Sequence, residues 1–141
     1  WLPNVSWKHI ERVLLLVGVL GAFAASSTGE IAEDLVRTNK QLVEMHSIFA
    51  SISTWIYGLL LLGEILYFLT PFVASKLSIA PLTKLLVFVQ SILQNNVLSR
   101  ILAFLGLIAI SVTGLLGGVI VYGVTADPVA GFVLQILGVS Y

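Results

Sequence analysis

The stretch Gly29–His46, GEIAEDLVRTNKQLVEMH, separates two long apolar runs, and its reading decides the fold. It carries more than half of the chain's seven acidic residues. Ser27-x-x-Glu30 at its start has the spacing of a capping box, which covers orphan backbone N–H groups at a helix start. Ile31, Leu35, Leu42 and Met45 then recur at nearly helical spacing, with Glu30, Glu33, Asp34, Arg37 and Glu44 on other faces. The pattern predicts an amphipathic helix over 29–45 that lies on a membrane surface and feeds the next membrane-spanning helix.

Composition supports that frame. Of the 141 residues, 58% are hydrophobic and only 10% charged, and the mean hydropathy is +1.05. Soluble domains carry about 25% charged residues, so this is a single membrane domain over 1–141. There is no cysteine, which excludes disulfides, thiolate zinc sites and cysteine-held iron–sulfur clusters. A net charge of zero argues against a nucleic-acid partner. The first residue is Trp1 rather than Met, as in a processed or partial chain.

Upstream of the polar stretch, a span is expected over 7–28. Trp1 and Trp7 are interfacial anchors, and Lys8, His9, Glu11 and Arg12 sit at headgroup level. Gly18-xxx-Ala22 and Gly21-xxx-Ala25 are small-residue pairs that let helices approach closely in lipid. Downstream, a second span is expected over 46–70, ended by Thr70-Pro71. It contains Glu64 in the run LLLLGEILYFL. A carboxylate among apolar residues needs a partner, and Arg100 or Lys76 is the expected base; a proton or ion pathway through Glu64 is the alternative. Ser78 and Pro81 open an apolar helix over 79–95, short and polar for a span and read as interfacial or re-entrant; the alternative is a fourth span, which would invert everything downstream. The last span is expected over 98–124. It contains Gly114-xxx-Gly118 beside Ser111 and Thr113, a face built for close packing by a helix or a flat ligand. Asp127-Pro128 makes a turn, and the apolar tail from Val129 is too short to cross. The fold expected is therefore all-α, with three transmembrane helices and one or two interfacial ones.

Charge gives an orientation. Three spans put Lys8, Arg12, Lys76, Lys84 and Arg100 on one side. Glu30, Glu33, Asp34, Glu44 and Asp127 lie on the other, with only Arg37 and Lys40. The positive-inside rule then places the N-terminus in the cytoplasm of a plasma membrane protein. Two groups of residues have the chemistry to bind a cofactor. His46, opening the second span, is a candidate axial ligand for haem b. His9 belongs to the opposite face on this topology, so the two cannot clamp one haem. Glu30, Glu33, Asp34 and His46 form a weak candidate metal set. Against it, Glu33 and Asp34 are spaced to pair with Arg37 on a solvated helix face.

Ser27 to Glu33 reads S-T-G-E-x-A-E, His46 opens a span, and Gly117 to Val124 reads G-G-V-I-V-Y-G-V. This order resembles a family of small, mostly uncharacterised prokaryotic membrane proteins with a four-helix domain of unknown function. That family has an "sGeeAe" turn, a histidine at the start of the next helix and a "GG-x-LVY-x-x-GV" ending. Its usual first helix, opening on "HP-x-x-VHFPIA", is absent from this sequence. Carried by a partner, its histidines would enter on the side of His46, a geometry similar to a two-histidine haem site. The resemblance implies redox membrane biology. Taken together, these readings lead us to expect a small accessory or anchor subunit among lipids and other membrane subunits, in an electron-transfer complex. The alternatives are a b-type haem carrier through His46 and a proton pathway through Glu64.

Overall fold

The computed structural model describes residues 6–33, 39–77 and 79–139. It contains α1 (Trp7–Glu33), α2 (Lys40–Leu77), α3 (Ala80–Leu93), α4 (Asn96–Tyr122) and α5 (Ala130–Leu137), with a 3₁₀ turn at Val124–Ala126. No strand occurs among the described residues. Helices α1, α2 and α4 are each long and apolar enough to cross a membrane, and α3 is not. The chain is an all-α integral membrane protein.

Several boundaries differ from those expected. At the end of α1 the hydroxyls are satisfied within the helix, so they do not break it. Ser27 Oγ donates to the Phe23 carbonyl at 3.1 Å, and Thr28 Oγ1 reaches the carbonyls of Ala24 and Ala25. Ser27 is therefore no cap, and α1 runs on to Glu33. The separate amphipathic helix over 29–45 is corrected accordingly. Gly29–Glu33 end α1, and Lys40 onwards begins α2, where Asn39 Oδ1 accepts from the Gln41 N–H at 3.0 Å. Residues 34–38 lie outside the described residues, and so does Ser78. Pro71 does not end α2 either: the helix passes through it to Leu77. Proline is tolerated inside helices of membrane proteins where neighbouring groups or local adjustment of the helix satisfy the freed carbonyl. Glu64 is then 13 residues from the end of α2, about 20 Å rather than the roughly 9 Å that an end at residue 70 would give.

The chain divides into two compact units. One comprises Trp1–Gly21 and Trp55–Phe104, the other Ala22–Thr54 and Leu105–Tyr141.

In the first unit, α2 and α3 form a helical hairpin. Gly63, Leu66, Thr70 and Val73 are buried along α2; Thr83, Leu86, Gln90 and Leu93 are half-buried along α3. Both rows have the three–four spacing of a packed seam. Their register is fixed at Gly63, where a Cβ would lie 3.0 Å from Leu93 Cβ. Counting back from there in antiparallel fashion sets Leu66 level with Gln90, Thr70 with Leu86, and Val73 with Thr83. Gln94 Nε2 donates to the Gly63 carbonyl at 3.3 Å, and Asn95 Oδ1 caps α4 by accepting from the N–H groups of Val97 and Leu98.

In the second unit, the apolar tail is part of the core rather than an interfacial appendage. Leu116 and Leu134 are fully buried, with Leu42, Val119, Ala130 and Val139 around them. Asp127 makes the turn that returns α5: its Oδ1 accepts from the Val129 N–H at 2.8 Å. Gly138, with φ 67°, ends α5 in the left-handed conformation that glycine adopts without a Cβ clash. Gln41 Nε2 then donates to the Gly138 carbonyl at 3.2 Å.

Candidate functional site

Two polar centres stand out, one in each unit. The first is Glu64. Its Oε2 accepts from Arg12 Nε at 2.7 Å, with the two side chains only 18% and 25% exposed. The expected partner, Arg100, is exposed and makes no ion pair among the described residues; Lys76 is exposed as well. The correction has a geometric cause. α1 passes α2 with Arg12 level with Glu64, so a base on an earlier helix reaches the carboxylate first. The Arg12 guanidinium also lies over Phe68 at 4.9 Å and over Tyr67 at 5.3 Å from the ring centroids. Those rings sit one turn beyond Glu64 on α2, and they meet edge to face with centroids 5.3 Å apart. One arginine thus satisfies a carboxylate and two aromatic faces, holding α1 to α2.

The second centre is His46. Its Nδ1 lies 3.0 Å from the Thr113 carbonyl. A carbonyl only accepts, so Nδ1 carries a proton and donates; in the neutral form of the ring the lone pair is then on Nε2. Such a backbone bond commonly orients a metal-ligating imidazole. The ring is seated because α4 has a glycine under it: a Cβ at Gly117 would stand 3.1 Å from His46 Cε1 and 3.5 Å from Nδ1.

Gly114 and Gly118 face elsewhere. A Cβ at either would meet nothing within 4 Å. They line an open groove of about 500 Å³ with Ser111, Leu115, Tyr122, Asp127 and Val129. The close approach within the chain is thus made at Gly117, which sequence reading noted only as part of a motif. Its adjacency to the GxxxG pair gave no sign of which glycine met a neighbour; that depends on helix rotation.

The remaining candidates are dispersed. His9 is exposed and hydrogen-bonded to Ser6, beside an exposed Lys8–Glu11 pair at 3.4 Å. The side chains of Glu30 and Glu33, and all of Asp34, lie outside the described residues. Among the described residues no three histidine, cysteine, aspartate or glutamate side chains come together as a metal site.

No protein family, curated protein or solved structure matches the chain.

Gly117→Ala should push the His46 ring off the Thr113 carbonyl, whereas Gly114→Ala should leave it in place. The imidazole N–H proton signal of the protein in detergent micelles reports this directly: lost or exchange-broadened in the first variant, retained in the second. Equal signals in both would show that Gly117 does not seat the ring.

Proposed function

We propose that this protein is a small accessory or anchor subunit that packs against other subunits of a larger membrane complex, one engaged in electron transfer. The observation that carries the reading is the open face of α4, where Gly114 and Gly118 have free space above them and Ser111, Leu115 and Tyr122 wall the groove. Small-xxx-small faces allow a second helix to approach to backbone distance, which is how helices associate where lipid removes the hydrophobic drive. α1 supports it: only 6% of its apolar window is buried within the chain, so its surface is left for lipid or for neighbouring subunits.

A second reading has its own support. His46 with Nδ1 bonded to a backbone carbonyl keeps Nε2 as a ligand atom, and this suits an axial position on haem b. The chain supplies one such histidine, so the other axial ligand would come from a partner, in keeping with the family resemblance. Haem would supply the one-electron chemistry; the protein's part would be to hold the imidazole in one tautomer and orientation. A proton pathway through Glu64 draws no support, since its carboxylate is engaged by Arg12. The plasma membrane and a cytoplasmic N-terminus belong to this proposal, on the asymmetry of Lys and Arg.

Gly114→Leu/Gly118→Leu should abolish co-purification of partner subunits while leaving the thermal unfolding of the isolated chain unchanged, because both positions face open space. Retained partners would sink the subunit reading. On the purified assembly, a Soret band lost in His46→Ala would favour the haem carrier, and no Soret band would exclude it. Orientation is checked separately with single cysteines at positions 40 and 76 in intact cells. Labelling from outside at 40 only is expected, and labelling at 76 only would reverse the topology.

A further inference from the structure

The α2–α3 hairpin lies on the far side of a polar level in its unit. Arg12 and Glu64 meet there, Gln94 bonds the Gly63 carbonyl there, and α4 starts beside it at Asn95 and Asn96. Charged and amide groups at one level mark a membrane–water interface. Yet α2 does not stop at that level. Its 38 residues rise about 57 Å, nearly twice the hydrocarbon thickness of about 30 Å. The excess is the hairpin arm from Ile65 to Leu77, with α3 returning along it.

That hairpin is apolar away from its seam as well as along it. Ile65, Phe68 and Phe72 on α2 are exposed, and so are Leu85, Phe88 and Ile92 on α3. In water such a surface would be strongly unfavourable. Its charge is one-signed: no acidic residue occurs between Glu64 and Asp127, while Lys76 and Lys84 stand exposed near the closed end. A protein partner would cover one face, but here the outer faces of both helices are apolar. Apolar sides suit the acyl boundary of a leaflet, and two lysines at the tip, with no acidic residue beside them, complement anionic headgroups.

We propose that the hairpin is an interfacial, anionic-lipid-binding element, embedded along one leaflet with Lys76 and Lys84 on lipid phosphates. Pro71 lies within the arm and cannot donate to the Tyr67 carbonyl, so the arm holds one backbone hydrogen bond fewer. The inference stands independently of the subunit role proposed above.

The test uses the full chain in vesicles. There is no native cysteine, so Phe88→Cys carries an environment-sensitive dye alone. Quenching by shallow-brominated phosphatidylglycerol is compared with quenching by the matching phosphatidylcholine at equal mole fraction. A lipid-like emission and stronger quenching by phosphatidylglycerol are expected. That preference should fall roughly fivefold for each lysine removed in Lys76→Gln/Lys84→Gln. Water-like emission at 88, equal quenching by the two lipids, or an unchanged preference in the double variant would each overturn the proposal. The same dye at Phe104→Cys, on exposed α4 surface, separates causes. Lipid at 104 with water at 88 removes the hairpin element alone, and water at both removes the membrane fold with it.

Discussion

The ion pair between Arg12 and Glu64 is the interaction on which the first unit depends. Glu64 stands in an apolar run and is largely shielded from solvent, where a lone carboxylate would be disfavoured. Arg12 removes that penalty and adds contacts with Tyr67 and Phe68, and in doing so fixes the height of α1 along α2. With the Gln94–Gly63 bond at the same level, it sets where the spanning part of α2 ends and the hairpin begins. A long guanidinium suits this position because its stem packs on apolar surface while its planar fork meets a carboxylate edge and ring faces.

The helices themselves were legible. Long apolar runs at three places, the second carrying Glu64, define α1, α2 and α4, and the shorter α3 was visible as an apolar segment closed by Gln90, Gln94 and Asn95. Their ends were not. Ser27 and Pro71 are stop signals by rules calibrated in water, where a hydroxyl or a freed carbonyl has solvent to turn to. Here Ser27 bonds back to Phe23 and the helix continues through Pro71. The tail after Val129 was undervalued because its eight helical residues are too short to span; its burial against Leu116 and Leu42 is a tertiary property.

Of the candidate sites, the residue types were legible and their partners were not. Glu64 demanded a base, but a choice among Arg12, Lys76 and Arg100 depends on helix order and rotation, which hydropathy leaves open. His46 stood out as a lone imidazole opening a span. That Thr113 fixes its tautomer and Gly117 makes room for it depends on how α4 turns toward α2. The same rotation leaves Gly114 and Gly118 on an open groove, so one glycine-rich motif serves an internal contact on one side and a free surface on the other.

The central claim is that Arg12, rather than Arg100, satisfies Glu64 and thereby fixes α1 against α2. A double-mutant cycle on unfolding in bicelles tests it most directly, using Arg12→Gln, Glu64→Gln and their combination, with Arg100→Gln in a parallel cycle. Coupling of about 1–3 kcal/mol between positions 12 and 64, and additivity between 100 and 64, is the result expected for a shielded pair. Additivity at 12 and 64 with coupling at 100 would contradict the account.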